Sequence, residues 1–158
     1  METTTFTLVT RVTGTETKTY EIQRVWDASQ KRGLIIELYP TITKDRPDLM
    51  DLSSFHLHNH MKDLELGSVT ICNLYSTVFA RKPLASQLLP DEKNLDYIEK
   101  LLDREQFDDI IIAWGSSLSS NKTANEAKLH ILKMLTDKNL TDKVKHIVGE
   151  SLKQRGSG

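Results

Sequence analysis

The sequence predicts an α/β protein with a three-layer α/β/α arrangement. Its central sheet is predicted to be four-stranded and mostly parallel, and an N-terminal β-hairpin precedes it. Two short apolar runs, residues 34–38 and 110–114, are typical of strands buried on both faces. Segments with helical apolar spacing alternate with such strands, which favours a parallel sheet covered by helices. At this length we expect a single domain over residues 1–158.

Composition and charge exclude several classes of protein. Hydrophobic residues at 38% and charged residues at 27% are globular values, not those of a disordered or fibrous chain. The formal net charge of -1 is unlike that of a protein that grips duplex DNA mainly through phosphates. Since no apolar run reaches membrane-spanning length and the N-terminus lacks a signal-peptide layout, we expect a soluble, cytoplasmic protein without membrane contact.

The single cysteine, Cys72, excludes an intrachain disulfide and a cysteine-rich metal site. Its neighbours (VTICNLYS) are typical of a strand, so the sequence predicts a small buried hydrophobic side chain, with a reactive thiol as the alternative. A reducing compartment is consistent with this cysteine usage.

The N-terminal third of the chain predicts strands. Residues 6–12 and 18–25 are rich in Thr, Val, Tyr and Ile and flank a Gly-Thr-Glu turn, which predicts an antiparallel hairpin at the sheet edge or as an appendage. Gly33 interrupts the chain before the first central strand, residues 34–38, and Pro40 ends that strand.

Helices and strands alternate in the middle of the chain. A helix is predicted over residues 51–67 from its apolar spacing and from Gly67 at its end. Residues 69–74 predict the second central strand, and the long irregular segment 77–90 follows it. Residues 94–106 carry the apolar stripe of an amphipathic helix.

The last elements begin with the third central strand, residues 110–114. Thr123 with Glu126 three positions later is the pattern of a capping box, so a helix is predicted to start there. Residues 144–148 predict a final short strand, followed by a polar tail.

Two motifs that carry chemistry in other proteins match poorly. Residues 115–123 (GSSLSSNKT) follow a strand and open a helix, but no Gly precedes Lys122 and the glycine spacing of a phosphate-binding loop is absent. His56, His58 and His60 alternate like zinc ligands on a strand, with Asp51 as a further candidate ligand. On the predicted helix, however, only the first and last of these histidines share a face. We therefore expect no metal and no cofactor.

Ligands of such sheets bind beyond the carboxyl ends of the strands, near a switch in strand order. Three short segments follow the predicted central strands and are the candidate site: residues 39–41, 73–76 and 114–120.

Four segments and Asn94 occur in an order that resembles the uncharacterised family DUF1643. The segments are YEIQRVWD, LIIELYPTIT, ICNLYS and IAWG, at residues 20–27, 34–43, 71–76 and 112–115. The resemblance covers roughly residues 20–116. More distantly, the last three segments resemble the uracil-DNA glycosylase superfamily, which has a sheet flanked by helices, an Asn on the second central strand and a Leu-Trp-Gly-Ser segment on the third.

The glycosylase resemblance implies a role for Asn73. A flipped uracil is recognised through hydrogen bonds to its edge and through stacking, and an Asn side chain offers both an acceptor and donors. The alternative, which the sequence leaves open, is that Asn73 caps the strand end through local backbone bonds.

The catalytic groups that the resemblance would require are absent. Tyr39 stands where the glycosylases carry an Asp, and a phenol cannot serve as a carboxylate base at pH 7. Glu37 and Tyr39 also replace smaller residues and are expected to fill part of the pocket. The C-terminal segment has no His-Pro-Ser loop, and His146 lies within the last predicted strand.

The resemblance therefore implies a degenerate glycosylase that acts by binding, with no catalytic residues. Its candidate partners are a glycosylase-inhibitor-type protein and, weakly, single-stranded or uracil-containing DNA; the near-neutral charge favours the protein. The degenerate pocket is predicted to comprise Glu37, Tyr39, Pro40, Thr41, Asn73, Tyr75, Trp114 and Ser116.

Two alternatives remain open from the sequence. The first is an active nucleobase hydrolase that uses Asn73 together with Glu37 or Asp45 as a relocated base. The second is that residues 77–90, with Phe79 and Arg81, form the main protein-binding surface.

Overall fold

The computed structural model describes residues 1–51, 56, 58–116, 118–148 and 151–154, and it describes residues 146–148 and 151–154 by their backbone alone. Among these residues, seven β-strands form one sheet and two α-helices have described bounds. The strands are β1 (Val9–Gly14), β2 (Thr19–Val25), β3 (Lys31–Glu37), β4 (Leu66–Asn73), β5 (Asp109–Ile112), β6 (Val144–Val148) and β7 (Ser151–Gln154). The helices are α1 (Glu92–Arg104) and α2 (Lys122–Asp137).

The sheet has the strand order β1-β2-β4-β3-β5-β6-β7. Strand β3 pairs in parallel with β4 and with β5, and β5 pairs in parallel with β6. The other three pairings, β1 with β2, β2 with β4 and β6 with β7, are antiparallel. The predicted α/β class is therefore confirmed, in a mixed sheet wider than the four strands predicted.

The predicted hairpin forms one end of the sheet, and an unpredicted strand forms the other. The hairpin, predicted at the edge or as an appendage, occupies the edge: β2 continues the sheet by pairing with β4 over four residues. At the opposite edge, Ser151–Gln154 lies where a polar tail was expected, because pairing with β6 satisfies its backbone without requiring apolar side chains.

The two faces of the sheet are covered differently. One face presents Leu34, Ile36 and Ile110 to a core cluster that includes buried residues of both α1 and α2. The other face presents Ile35 and Ile111, among others, to a second cluster that contains Ile42 and Met61 from the chain between β3 and β4.

This distribution follows from the handedness of parallel crossovers. The connection from β3 to β4 moves across the sheet in one direction, whereas those from β4 to β5 and from β5 to β6 move in the other. Right-handed crossovers that run in opposite directions must lie on opposite faces. The carboxyl end of β3 therefore lies at a switch point, between two neighbours whose connections leave towards the opposite face.

Several predicted boundaries were wrong for identifiable reasons. Gly33 lies inside β3 rather than before it, because its missing side chain leaves room for Leu66 of the neighbouring strand. Helix α2 is capped by Asn121, the residue before Lys122, whose side chain accepts a hydrogen bond from the Ala124 backbone at 3.0 Å, so Thr123 is not the cap. Helix α1 spans Glu92–Arg104, close to the predicted 94–106.

Gly67 does not end a helix but lies within β4. Residues 58–60 are helical and continue into a 3-10 turn at Met61–Leu64, which Glu65 ends in a left-handed conformation with φ 59°. The rest of the predicted helix, at residues 52–55 and 57, lies outside the described residues. The backbone of Gly67 instead accepts hydrogen bonds from Trp26 and Asp27, at 3.0 and 2.9 Å.

Replacing Gly67 by Ala is expected to destabilise the protein by about 3 kcal/mol or more. An added Cβ would lie 1.8 Å from the backbone oxygen of Asp27, so the backbone itself must move. Gly33→Ala is the matched control, since its Cβ would meet only the flexible end of Leu66, at 2.9 Å, and should cost about 1 kcal/mol. Urea denaturation compares the variants, and equal losses would contradict this packing.

No helix within the described part of the chain has the length and apolar character needed to cross a membrane.

Candidate functional site

The candidate site is built on two residues that end neighbouring strands. Glu37 is the last residue of β3 and Asn73 the last residue of β4, and the two are register partners. Residues paired in this way lie on the same face, on strands about 4.8 Å apart. They share the face of Ile35 and Ile71, which precede them by two positions in each strand.

Each of these two side chains has an enclosed oxygen that lacks a partner. Asn73 is 2% exposed, and within the described residues neither its Oδ1 atom nor the Glu37 Oε1 atom has a hydrogen-bond partner. A buried polar atom left in this way costs about 1 to 3 kcal/mol. The Asn73 Oδ1 atom therefore does not accept a backbone hydrogen bond that would cap the strand end, which was the predicted alternative.

Charged groups from other segments lie around this pair. Arg24 of β2 is 3% exposed and lies on the same face, since it follows Ile22 by two positions. Its guanidinium donates to the Leu49 backbone oxygen at 3.1 Å and to the Thr10 hydroxyl oxygen at 3.3 Å. The Thr41 hydroxyl donates to the Asp51 carboxylate. We call Arg24, Glu37, Thr41, Asp51 and Asn73 the strand-end cluster.

The electrostatics of the strand-end cluster act most strongly on Glu37. Burial, and to a smaller extent the Asp51 carboxylate, raise the pKa of Glu37 while Arg24 opposes the rise, and the net result is a pKa of about 7. Burial also lowers the pKa of the Arg24 guanidinium, which Asp51 and Glu37 partly offset. At neutral pH the Glu37 carboxyl is therefore able to donate a hydrogen bond in its protonated form and to accept one in its ionised form.

A small side chain lies on the other side of Glu37. Strand β5 pairs Ile112 with Ile36, and the Ala113 backbone donates to the Ile36 oxygen at 2.8 Å, so Ala113 follows beside Glu37. Ala113 packs against the same cluster as Ile35. The row Asn73, Glu37, Ala113 thus spans the ends of three adjacent strands, and Ala113 is its smallest side chain.

Asn94 holds the end of β4 in place. This residue lies in the first turn of α1, is 0% exposed, and donates from Nδ2 to the backbone oxygens of Asn73 at 2.8 Å and Leu74 at 3.3 Å. Helix α1 is itself started by Asp91, whose side chain accepts from the Lys93 backbone at 3.0 Å. The backbone position of Asn73 is therefore fixed from the helix-covered face of the sheet.

The structure divides the predicted pocket residues between the two faces. Glu37, Thr41 and Asn73 belong to the strand-end cluster. Three others pack in the helix-covered core: Tyr75 and Trp114 are buried there, and Tyr39 is partly buried against it. Of the remaining two, Pro40 is buried and Ser116 is exposed.

Tyr39 was expected to fill part of a pocket beside Asn73. It instead packs against the helix-covered cluster, whereas Asn73 follows the alternation of β4 onto the opposite face. Burial also raises the pKa of the Tyr75 phenol in that core, with the Thr123 side chain as a smaller opposing influence.

Two members of the strand-end cluster were not predicted. Arg24 had a sequence signal, since it occupies a position of β2 that alternates in phase with the buried Ile22. Asp51 had none, because a tertiary contact rather than sequence spacing brings it to Thr41. Asp45, the other predicted relocated base, is exposed and pairs with Lys44 at 3.1 Å.

The histidines do not form a metal centre in the described part of the chain, where no three metal-ligating side chains converge. His56 is exposed, and His60 lies 3.8 Å from the exposed Asp63 carboxylate. His58 contacts the Trp26 and Phe6 rings edge-on, with centroids 5.0 and 5.6 Å away.

Cys72 is buried in β4, as predicted. Burial raises the pKa of its thiol far above the usual range, which disfavours the reactive thiolate.

Most residues of the segment 77–90 are exposed, Arg81 among them, but part of the segment packs against the rest of the protein. Phe79 packs against the helix-covered core, and Thr77 forms an isolated bridge with Lys18 of the hairpin turn. The exposed apolar side chains of the segment are Leu84 and Leu89, at 70% and 71%. Phe79 is only partly buried and Arg81 is exposed, and a binding surface formed by this segment stays a prediction.

Comparison with known proteins gives one match. The model of a family described as "Protein of unknown function (DUF1643)" matches residues 19–156. No curated protein and no solved structure matches the chain.

Proposed function

This chain belongs to the DUF1643 family. From that premise and from its strand-end cluster we propose that it is a uracil-DNA glycosylase-like protein that binds a nucleobase without cleaving the bond between the base and its sugar. The observation that carries the proposal is the register pair Glu37 and Asn73, whose enclosed oxygens lack partners within the described residues. Enclosed acceptors of this kind are satisfied when a ligand supplies the donors.

The strand order supports the glycosylase-like part of the proposal. The resemblance requires motifs at the ends of three central strands to meet, and β4, β3 and β5 are adjacent and parallel. Their carboxyl ends lie at one edge, at the switch point where open α/β sheets bind ligands. We propose that β4-β3-β5-β6 is the four-stranded parallel core of this fold, with the chain between β3 and β4 as its third layer.

The chemistry of Asn73 supports a nucleobase as the ligand. A carboxamide presents an acceptor beside donors, which matches the edge of a base. Arg24 lies near enough to Glu37 to oppose the rise of its pKa, so the site can also hold an electron-rich ring edge.

The location of Tyr39, which stands where the glycosylases carry their catalytic Asp, supports binding without base release. Tyr39 packs towards the helix-covered core instead of facing Asn73, and it carries a phenol instead of a carboxylate. The base of the ligand would come from single-stranded nucleic acid, where a base is reached without the cost of opening a duplex. The near-neutral charge gives little attraction to phosphates, so this binding is expected to be weak. A glycosylase-inhibitor-type protein as partner stays a prediction.

A second candidate function rests on one observation. With burial raising its pKa to about 7, Glu37 is matched to general base or acid catalysis at neutral pH. An active nucleobase hydrolase using Glu37 and Asn73 is therefore the alternative, and the same experiment separates the two functions.

The experiment uses fluorescent single-stranded oligonucleotides with an abasic spacer backbone that carries one uracil, one cytosine or no base. We expect the protein to bind the base-bearing strands more tightly than the spacer strand, without base release above background. Asn73→Ala should weaken base-dependent binding at least about tenfold, as loss of one or two hydrogen bonds requires.

Asn125→Ala is the matched control, since Asn125 donates to the Ser119 backbone oxygen and belongs to α2, which covers the opposite face of the sheet from Glu37 and Asn73. Equal affinity for all three strands would contradict the proposed function. Base release that Glu37→Gln and Asn73→Ala both abolish would instead establish the hydrolase.

A further inference from the structure

The strand-end cluster carries an asymmetry that a uracil site does not explain. Its two enclosed unpartnered oxygens, Glu37 Oε1 and Asn73 Oδ1, lie on adjacent strands and in register. A carboxylate accepts hydrogen bonds and donates none, whereas the carboxamide does both. With Glu37 ionised, these two side chains therefore offer two acceptors beside one donor group, and Arg24 adds an enclosed Nε–H donor that has no partner among the described residues.

The pyrimidine bases differ in how they fit this pattern. The edge of uracil presents one N–H between two carbonyl oxygens, so a carboxylate beside Asn73 would face a carbonyl. The edge of cytosine presents an amino group, whose two hydrogens can satisfy one acceptor each, next to a ring nitrogen that accepts from the carboxamide. A carboxylate is the usual acceptor for that amino group.

We propose that Glu37 determines base specificity at this site, so that its carboxylate selects a base with an exocyclic amino group, cytosine among the pyrimidines. The inference rests on the proposed nucleobase site and adds the class of base. Protonation converts the Glu37 carboxyl into a donor, which then suits the carbonyl of uracil. Selectivity for cytosine over uracil accordingly increases as pH rises through neutrality.

The groups around Glu37 do not themselves account for the expected change of base selectivity with pH. Arg24 from β2 keeps its charge in this range, and Asn73 and Ala113 on the flanking strands do not titrate. The Asp51 carboxylate favours the protonated form of Glu37 through like charge. His58, against Trp26, is a further titratable side chain on this side of the protein, and its replacement serves as the control.

The test measures dissociation constants for the uracil and cytosine strands at pH 6 and pH 8 by fluorescence anisotropy. In the wild-type protein, the ratio of the uracil constant to the cytosine constant should rise at least about tenfold, which corresponds to one mismatched hydrogen bond. Glu37→Gln should hold the ratio constant within about twofold, and His58→Gln should behave as wild type.

A ratio that stays constant in the wild-type protein would overturn the inference, as would an equal rise in Glu37→Gln or the loss of the rise in His58→Gln. The two proposals fail differently. Base-dependent binding that Asn73→Ala removes, with no change of selectivity between pH 6 and pH 8, would overturn only the role of Glu37. Absence of base-dependent binding would overturn the nucleobase site itself.

Discussion

Replacing Glu37 by Gln is expected to raise the free energy of unfolding by about 3 kcal/mol at pH 8 and to leave it nearly unchanged at pH 4. Burial raises the pKa of Glu37 from its usual 4.5 to about 7 in the folded protein. Between these values the folded protein holds a proton that the unfolded chain has released. The stability of the wild-type protein should therefore fall as pH rises through this window, and Gln removes that loss.

Urea denaturation of both proteins from pH 4 to pH 8 measures the difference. Glu99→Gln is the matched control, since Glu99 is exposed on α1 and its replacement should shift stability by less than about 0.5 kcal/mol. A stability difference that does not change with pH would show that Glu37 is not held in the environment described here. A gain at pH 8 would show that the free protein carries an unfavourable carboxyl, as expected for a residue kept for ligand binding.

Replacing Asn94 by Asp is expected to lower the free energy of unfolding by about 3 kcal/mol or more. The change removes the Nδ2 donor that serves the Asn73 and Leu74 backbone oxygens, and places carboxylate oxygens against two carbonyls in a fully buried position. Two buried carbonyls are then left without this partner.

Asn125→Asp is the matched control for Asn94→Asp. Asn125 also donates to a backbone oxygen, that of Ser119 at 2.8 Å, but at an exposed site where water can replace the bond. We expect this control to lose less than about 1 kcal/mol in the same urea titration. Similar losses in the two variants would contradict the role of Asn94 in holding the end of β4.

The sheet could be predicted where side-chain patterns determine it. The continuous apolar run of β3 and the neighbours of Cys72 in β4 mark strands buried on both faces, and both were found. Gly67 was misassigned because a glycine at a helix end and a glycine beside a crossing backbone look alike in sequence. What distinguishes them is the Asp27 carbonyl packed against Gly67, a tertiary contact.

The site could be predicted only in part, because side-chain patterns reveal where strands end but not how they pair. Glu37 and Asn73 follow from strand ends, but their register was not accessible, since a shift of one residue would place them on opposite faces. That same alternation takes Trp114 away from the strand-end cluster and into the helix-covered core. Tyr39 lies beyond the last residue of β3, so strand alternation did not fix its side.

The claim that Asn73 lies in a nucleobase site is tested most directly by the side-chain amide resonances of a ¹⁵N-labelled protein, with the Asn73 signal assigned through Asn73→Ala. We predict that the uracil and cytosine strands shift this signal saturably and that the spacer strand does not. If the base-bearing strands left the Asn73 signal unchanged, or shifted only exposed amides such as that of Asn139, the claim would be contradicted.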